Sequence, residues 1–437
     1  MLPQFKQVSV VGLGYIGFPT AVILASHGVK VTGVDINERA VESVNRGDVH
    51  FVEPGLELLA KQVARTGKLH ATMTPEPADA FIIAVPTPFG QDHEPDLSCV
   101  EAATRSIAPV LHRDNLVILE STSPVGTTER IAEILADKRS DLRFPHQAGS
   151  DADVQIAYCP ERVLPGKIIY ELIHNDRVLG GLTPYCAERA AALYEIFVKG
   201  KCFQTDARTA EMSKLAENSF RDVNIAFANE LSLVCEKLGI DIWKLIELAN
   251  RHPRVNILQP GPGVGGHCIA VDPWFIIHSA PEQTRLMTAA RQVNDAKPLH
   301  VVEQVKVALK SRPTAKIACL GLSFKADIDD MRESPAVHIV TGLAQETQAE
   351  LLVVEPHVAC LPECLRNFGK VRMVNLGDAL DDAEIVVVLV NHKQFYSIDG
   401  AQLTGKTVID TRGLFTGETG LTSWGNRAGA ASAGTAR

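Results

Sequence analysis

The stretch VSVVGLGYIG, residues 8 to 17, decides how the first part of this chain folds. An apolar run of strand length leads into Gly12-x-Gly14-x-x-Gly17, and PTAVILASHG then continues with a helical pattern. A second strand pattern, KVTGVDI, follows and contains the acid Asp35 near its end. Strand, glycine turn, helix and strand in this order predict a βαβ unit.

The three glycines and the acid have separate roles in binding a dinucleotide. Gly12 makes the tight turn, Gly14 lets the backbone approach a pyrophosphate, and Gly17 lets the helix pack on the strand. The helix N-terminus offers N–H groups to the phosphates. Asp35 is expected to bind the adenosine ribose and to repel a 2′-phosphate, so NAD is preferred over NADP. The predicted cofactor-binding residues of this unit are Gly12, Gly14, Tyr15, Ile16, Gly17 and Asp35.

Two further strand patterns, DAFIIAVPTP and NLVILESTSPVG, end in small polar residues. In an open α/β sheet the carboxyl ends of the strands line the ligand crevice. The residues predicted to border the cofactor are therefore Pro86, Thr87, Ser121 and Thr122. Ordinary turn chemistry is the alternative explanation for each of them.

The remaining patterns divide the chain into domains. A long amphipathic helical pattern precedes a second series of strands and helices, in which LGLSFKA lacks the three-glycine fingerprint. The sequence predicts an α/β fold of two Rossmann-like, doubly wound parallel-sheet domains joined by a central helical segment. The predicted ranges are 1–203 for the NAD-binding domain, 204–300 for the central helical and dimerisation domain with the cysteine loop, 301–420 for the second Rossmann-like domain, and 421–437 for a disordered tail.

The central helix has two kinds of face. Its apolar residues fall on one helical stripe, which consists of Met212, Leu215, Val223, Phe227, Leu231 and Val234. Lys214 and Asn218, four residues apart, share another face. Considered alone, such a polar face is expected to be exposed to solvent.

Composition restricts the class of protein. With 437 residues, 46% hydrophobic and 22% charged, the chain is long enough for two or three globular domains. A net charge of -9 argues against nucleic acid or an anionic membrane as the main partner. The N-terminal sequence has no signal-peptide pattern, and we expect a cytoplasmic location. The nine cysteines are scattered and are expected to be thiols, and no spacing among them predicts a metal site.

Five motifs occur in a fixed order along the chain. They are the Gly12 fingerprint, YCPERVLPG with Glu161, the helix with Lys214 and Asn218, GPGVGGHC with Cys268 and then Asp272, and GLSFKADIDDMRESP with Lys325 and Arg332. In this order, over nearly all of residues 5–415, they resemble the UDP-glucose/GDP-mannose dehydrogenase family. The resemblance implies an NAD-dependent enzyme that oxidises the C6 alcohol of a sugar nucleotide to a carboxylate.

Cys268 has a chemical use in such a reaction. Oxidation of an alcohol to an acid removes two hydrides, and the intermediate aldehyde must be retained. A thiolate adds to the aldehyde, and the thiohemiacetal can lose a second hydride to become a thioester, which water hydrolyses. The alternative is that Cys268 is a small core residue, as many cysteines are. Its neighbours Gly265, Gly266, His267 and Asp272 are unusual for a core and favour the nucleophile.

The resemblance assigns the other roles position by position. Lys214 is expected to stabilise oxyanions with help from Asn218. Glu161 and Asp272 are the candidate carboxylates for activating water, and the sequence leaves open which one is the base. The predicted catalytic residues are Cys268, Lys214, Asn218, Glu161, Asp272 and Thr122.

The resemblance also predicts ligand contacts. Thr122 and Arg332 are expected to reach the cofactor. The predicted substrate-binding residues are Glu161, Arg162, Lys214, Asn218, Arg251, Arg254, Gly263, Gly265, Lys325 and Arg412. For Lys325, Arg332 and Arg412 a solvated surface role is the alternative.

Within the family, the loop NILQPGPGVGGHCIAVDPWFI favours UDP-N-acetyl-D-mannosamine as the substrate. The alternatives are UDP-N-acetylglucosamine or another UDP-hexose. The resemblance further implies a homodimer through the central helix, with Arg251 and Arg254 contributing across the subunit boundary. Two more distant alternatives are a two-electron dehydrogenase, which needs no thiol, and a non-catalytic nucleotide-sugar sensor.

Overall fold

The structure of the chain is a computed structural model that describes residues 5–49, 51, 53–90, 93–164 and 166–415. The chain divides into two compact units. The first runs to Glu217 and includes Trp274–Ser279, and the second comprises Asn218–Pro273 and the chain from Ala280 onward. The tail predicted for 421–437 lies outside the described residues. Within the described part of the chain, no helix is both long and apolar enough to cross a membrane.

The first unit contains an eight-stranded sheet. Its strands are β1 (Gln7–Val11), β2 (Lys30–Val34), β3 (Leu69–Thr72), β4 (Ala80–Ile83), β5 (Leu116–Leu119), β6 (Gln155–Tyr158), β7 (Arg177–Gly181) and β8 (Cys202–Asp206). Its helices are α1 (Gly17–Ser26), α2 (Glu38–Arg46), α3 (Leu56–Thr66), α4 (Ser98–Ile107), α5 (Thr127–Lys138), α6 (Pro145–Ala148), α7 (Ile168–His174) and α8 (Pro184–Tyr194).

The strand order of this sheet is β3-β2-β1-β4-β5-β6-β7-β8. Neighbouring strands are parallel except β6 and β7, which are antiparallel. The order reverses between β1 and β4, so the loops that follow these two strands flank the crevice where open α/β sheets bind ligands. Helices cover both faces, since Val10 and Val11 lie in different hydrophobic clusters.

The remaining helices are α9 (Ala207–Leu238), α10 (Ile242–Ala249), α11 (Asp272–Ser279), α12 (Arg285–Leu309), α13 (Pro335–Glu346), α14 (Glu363–Arg366) and α15 (Leu376–Asp382). The strands of the second unit are β9 (Ile317–Leu320), β10 (Leu351–Val354), β11 (Val371–Met373), β12 (Ile385–Val388) and β13 (Thr407–Asp410). They form a parallel sheet of order β11-β10-β9-β12-β13, which repeats the β3-β2-β1-β4-β5 arrangement of the first sheet. The predicted α/β class with two Rossmann-like sheets is confirmed.

The faces of α9 differ from the expectation for the isolated helix. Lys214 and Asn218 are buried rather than exposed to solvent, with 9% of each residue accessible. Phe227 and Val234 of the apolar stripe are instead 55% and 46% exposed. The expectation of a solvated polar face was wrong because tertiary packing, and not helical periodicity, decides which face is covered.

Candidate active site

The glycine turn after β1 has the shape that its motif predicts. Gly12 has a φ of +95°, and a Cβ there would come within 2.4 Å of the Ala84 carbonyl oxygen. A Cβ on Gly17 would come within 1.9 Å of the Gly12 carbonyl oxygen. A Cβ on Gly14 would meet no heavy atom of the described chain within 4 Å. The turn is therefore closed on its protein side and open above Gly14, where a pyrophosphate would meet the N-terminus of α1.

Asp35 is fixed beside this turn. Its carboxylate accepts the N–H of Leu13 at 2.8 Å and the N–H of Asn37 at 2.8 Å. Tyr15 stacks on Phe51 with ring centroids 4.4 Å apart, and Ile16 is the residue that precedes α1. Open space over the glycines and a rigid acid at the end of β2 fit the phosphate and ribose parts of NAD.

The loops after β4 and β5 are bonded to each other. The Ser121 hydroxyl accepts the N–H of Val85 at 2.9 Å and donates to the Val85 carbonyl at 2.7 Å. The Thr87 hydroxyl donates to the Thr122 carbonyl at 2.6 Å. Turn chemistry thus accounts for the hydroxyls of Ser121 and Thr87. Pro86 is exposed and Thr122 is half-buried.

Glu161 is held in a buried ion pair. One carboxylate oxygen accepts from Arg177 Nη1 at 2.8 Å, and the other accepts the backbone N–H of Arg162 at 2.5 Å. Arg162 itself donates from Nη2 and Nε to the carboxylate of Glu217, at 2.7 and 3.1 Å. The structure therefore connects the predicted residues Glu161 and Arg162 to Arg177, which was not predicted. An arginine at the start of an otherwise apolar, buried strand was the sequence signal for it.

Lys214 is buried on α9. Among the described residues, no carboxylate forms an ion pair with its ammonium group. A buried charge without a counter-ion is costly, so this group is suited to an anionic ligand or a developing oxyanion.

Asn218, Asp272 and Cys268 lie together in the second unit. The Asn218 side-chain amide donates to the Asp272 carboxylate at 2.5 Å, and both residues are buried. The Cys268 carbonyl accepts the N–H groups of Val271 and Asp272 at 3.0 and 2.8 Å. Cys268 is half-buried and none of the nine cysteines forms a disulfide. The core-residue alternative for Cys268 is therefore weakened, because its loop leaves the residue partly accessible.

The glycines of the Cys268 loop pack against the segment 321–335. A Cβ on Gly265 would lie 2.5 Å from the Glu333 carbonyl oxygen, and one on Gly266 would lie 2.8 Å from the Phe324 ring. The Gly266 N–H donates to the Arg332 carbonyl at 3.2 Å. Gly263 has a φ of +143° and faces Pro298 and Pro335 in the same way. Two sequence motifs that are more than fifty residues apart thus form one surface.

The Arg412 side chain lies next to Gly261, at the beginning of the same loop. Its Nε donates to the Leu389 carbonyl at 3.0 Å, and a Cβ on Gly261 would come within 2.7 Å of its Nη1. Burial lowers the pKa of Arg412 to about 10, although the charge of Asp410 opposes this. Arg412 is therefore half-buried, and its guanidinium group is held against the backbone of the second unit. The Gly261 N–H is in turn accepted by the buried Asn229 side chain at 2.8 Å.

The other predicted cations of the second unit are exposed. Lys325 is exposed, and Arg332 forms a two-pronged ion pair with Asp330, with Nη2 at 2.6 Å. Arg251 and Arg254 are also exposed, and Arg251 pairs with Glu247 at 3.6 Å.

Glu355 and His392 were missed from the sequence. Glu355 follows β10 as Asp35 follows β2, and it accepts the N–H of Leu322 at 2.7 Å as Asp35 accepts that of Leu13. The buried His392 lies with Nε2 3.1 Å from this carboxylate. The parallel between VVEPH and GVDIN, each an acid at the end of the second strand, was the available signal.

His392 also belongs to a cluster with Asp327 and His357 whose ligand-type atoms lie within 4.8 Å of one another. The Nδ1 atom of His392 accepts the N–H of Asp327 at 3.0 Å, so its lone pair is already used. The Lys393 ammonium lies 3.5 Å from the Asp327 carboxylate. A metal ion would have to displace the Asp327 N–H from His392 Nδ1 and would lie next to the Lys393 ammonium group. We therefore interpret the three residues as a hydrogen-bonded cluster.

Sequence profiles of the UDP-glucose/GDP-mannose dehydrogenase family match the chain in three segments. The NAD binding domain matches residues 6–198, the central domain residues 208–296, and the UDP binding domain residues 318–417.

Individual relatives align over nearly the whole chain. A UDP-N-acetyl-D-mannosamine dehydrogenase of Campylobacter jejuni is 60% identical over 396 residues, which covers 90% of this chain and 97% of the relative. An NDP-N-acetyl-D-galactosaminuronic acid dehydrogenase of Ralstonia nicotianae is 58% identical over 412 residues, with 94% and 97% covered. The solved structure of a UDP-D-ManNAc dehydrogenase from Pyrococcus horikoshii is similar with a TM-score of 0.86 and 37% identity, over 96% of this chain and 98% of that one.

Proposed function

Because the chain belongs to the UDP-glucose/GDP-mannose dehydrogenase family and is an NAD-dependent UDP-sugar dehydrogenase, we propose that it oxidises a UDP-sugar at C6 twice through Cys268. The observation that carries this proposal is the loop geometry around the thiol. Cys268 is half-buried, its carbonyl accepts the first N–H of α11, and the buried Asn218–Asp272 pair lies at the same helix start.

Each of the two oxidations consumes one NAD, which, when bound at the Gly12 turn, would supply the hydride acceptor. In the first oxidation the C6 alcohol loses a hydride and a proton to become an aldehyde. The Cys268 thiolate adds to the aldehyde carbon, and the resulting oxyanion takes up a proton as the thiohemiacetal. Loss of a second hydride and of the hydroxyl proton gives a thioester. Water then attacks the acyl carbon, the C–S bond breaks, and the carboxylate and the thiol are released.

The predicted side chains are assigned to these steps. Lys214 and Asn218 stabilise the oxyanions, and Glu161 and Asp272 are the carboxylates that handle the attacking water and its protons. Thr122 contacts the cofactor or a water molecule, and Arg332 reaches the cofactor. Gly263 and Gly265 of the Cys268 loop are assigned to the nucleotide-sugar. Lys325 and Arg412 are assigned to it as well, because the loop packs next to the segments that carry them.

UDP-N-acetyl-D-mannosamine is the proposed substrate. The residues Ala270–Phe275 after Cys268 favour it, and the relative from Campylobacter jejuni carries that name. A second candidate is the corresponding N-acetylgalactosamine nucleotide, because the Ralstonia relative at 58% identity is named for the galactosaminuronic acid. UDP-N-acetylglucosamine remains the third alternative.

The proposal includes a homodimer through α9. Phe220, Phe227 and Val234, spaced seven residues apart, are 68%, 55% and 46% exposed, and they form an apolar stripe that a second copy of the chain would cover. Arg251 and Arg254, which are exposed, are assigned to contacts across that boundary. The domain ranges 1–203, 204–300 and 301–420 stay part of the proposal, and the reducing cytoplasm is the proposed compartment because the thiol must stay reduced.

The role of Cys268 is tested by trapping the acyl-enzyme. Wild-type protein is mixed with NAD and UDP-N-acetyl-D-mannosamine, quenched in acid and digested, and the mass of the Cys268 peptide is measured. We expect an added uronyl group on Cys268 in the wild type and a loss of the four-electron turnover in Cys268→Ala. Cys99→Ala, which removes an exposed thiol, is the matched control and should retain activity. Full four-electron turnover by Cys268→Ala would end the proposal.

A further inference from the structure

The Glu161 carboxylate is fixed from two directions inside the first unit. Arg177 Nη1 donates to one oxygen at 2.8 Å, and the backbone N–H of Arg162 donates to the other at 2.5 Å. Glu161 and Arg177 are 7% and 1% exposed. A carboxylate held by two charge-assisted or backbone bonds in a buried setting has little freedom to change its rotamer.

Arg177 is itself anchored by contacts other than the one to Glu161. It is the first residue of β7, and its Nη2 donates to the Leu172 carbonyl at 3.1 Å. Its guanidinium group lies over the Tyr194 ring, 5.5 Å from the centroid. Arg177 therefore fixes one carboxylate oxygen of Glu161 relative to β7, α7 and α8.

A second buried carboxyl group belongs to the same cluster. Glu120 follows β5 and accepts hydrogen bonds from Tyr194 at 3.0 Å and from Thr20 at 3.4 Å. Burial, together with the charge of Glu161, raises the pKa of Glu120 to about 8. The raised pKa of Glu120 favours its neutral carboxyl form, and the ion pair that Arg177 makes is with Glu161.

From this geometry we infer that Arg177 is a positioning residue for the hydrolytic half of the reaction, fixing Glu161 for the water that cleaves the Cys268 thioester. The inference rests on the proposed function, in which Glu161 handles that water. Arg177 touches neither substrate nor cofactor in this assignment. It acts only through the orientation of the Glu161 carboxylate.

The chain offers a matched control in Arg189. This arginine is also buried in the first unit, donates to the Asp114 carbonyl at 3.0 Å and lies over the Phe5 ring, 5.2 Å from its centroid. Arg189→Lys also replaces a buried guanidinium group by an ammonium group, at a position that does not contact Glu161. Arg177→Lys keeps the charge but shortens the reach, and Arg177→Met removes the charge.

The test is a rapid-mix experiment on the full-length enzyme with NAD and UDP-N-acetyl-D-mannosamine. For Arg177→Lys we expect a burst of two NADH per active enzyme, then a steady state slowed by about 10- to 100-fold, with acylated Cys268 accumulating in acid-quenched samples. Arg177→Met should show a slower steady state still. Arg189→Lys should show the wild-type ratio of burst to steady state. If Arg177→Met fails to fold, the ratio measured for Arg177→Lys decides the matter.

Glu161→Gln, run in parallel, separates the inference from its premise. If Glu161→Gln accumulates the acyl-enzyme and Arg177→Lys does not, the role of Glu161 stands and the inference about Arg177 is wrong. If the NADH burst and the steady-state rate of Arg177→Lys fall in equal proportion, Arg177 has only a structural role and the inference is wrong. Normal hydrolysis by Glu161→Gln would overturn the proposed role of Glu161 and this inference with it.

Discussion

Glu120 is the side chain whose protonation has the clearest consequence for the first unit. The folded chain holds its pKa at about 8, against an ordinary value of 4.5, mainly because the group is buried. The unfolded chain releases the Glu120 proton from about pH 4.5 upward, whereas the folded chain keeps it until about pH 8. The ionisation of Glu120 therefore does not change the free energy of unfolding below about pH 4.5. As the pH rises from there to about 8, it lowers the free energy of unfolding increasingly.

Glu120→Gln removes this titration while keeping a neutral side chain of similar shape. We expect the variant to unfold at nearly the wild-type temperature at pH 4.5 and at a higher temperature than the wild type at pH 8. The gain in the free energy of unfolding is on the order of a few kcal/mol. Calorimetric melting of both proteins at the two pH values measures it. An equal difference at both pH values would show that Glu120 is not protonated in the folded chain.

The packing of the Cys268 loop on the segment 321–335 is the contact between elements that the proposed substrate site requires. It is made through glycines, because the loop backbone lies where side chains would collide with Glu333, Phe324 and Pro335. Such close approach of the backbone fixes the position of the loop that carries Cys268 relative to the segment 321–335.

Gly265→Ala tests this contact. The new Cβ would lie 2.5 Å from the Glu333 carbonyl oxygen, which is backbone and cannot move aside cheaply. We expect a loss of stability of about 1–3 kcal/mol and a fall in kcat/KM of more than about tenfold. Gly369→Ala is the control, since a Cβ at Gly369 meets no described atom within 4 Å. Wild-type kinetics for Gly265→Ala would contradict the packing described.

Local patterns and long-range contacts differ in how far the sequence reveals them. The turn at Gly12 and the acid Asp35 were predictable because strand, turn and helix are adjacent in the chain. The burial of Lys214 and the ion pair between Glu161 and Arg177 depend on which elements pack together, which periodicity does not report. Glu355 could have been predicted from the sequence, because it follows its strand as Asp35 does.

The assembled molecule is proposed to be a dimer because α9 exposes large apolar side chains at a heptad spacing. Phe227→Glu would place a charge in the proposed interface and is expected to give a monomer with reduced activity. Phe203→Glu is the matched control, because Phe203 on the edge strand β8 is 53% exposed, close to the 55% of Phe227. Light scattering coupled to size exclusion measures the mass. A dimeric Phe227→Glu variant would place the interface elsewhere.

The proposed role of Cys268 requires one enzyme molecule to remove four electrons from one sugar. The direct measurement is the number of NADH formed per sugar consumed, with UDP-N-acetyl-D-mannosamine, UDP-N-acetylglucosamine, UDP-N-acetylgalactosamine and UDP-glucose supplied separately. We expect two NADH per sugar and a uronic acid product, with the mannosamine nucleotide as the preferred substrate. One NADH per sugar, with an aldehyde or ketone as the product, would contradict the role of Cys268 as the acyl carrier.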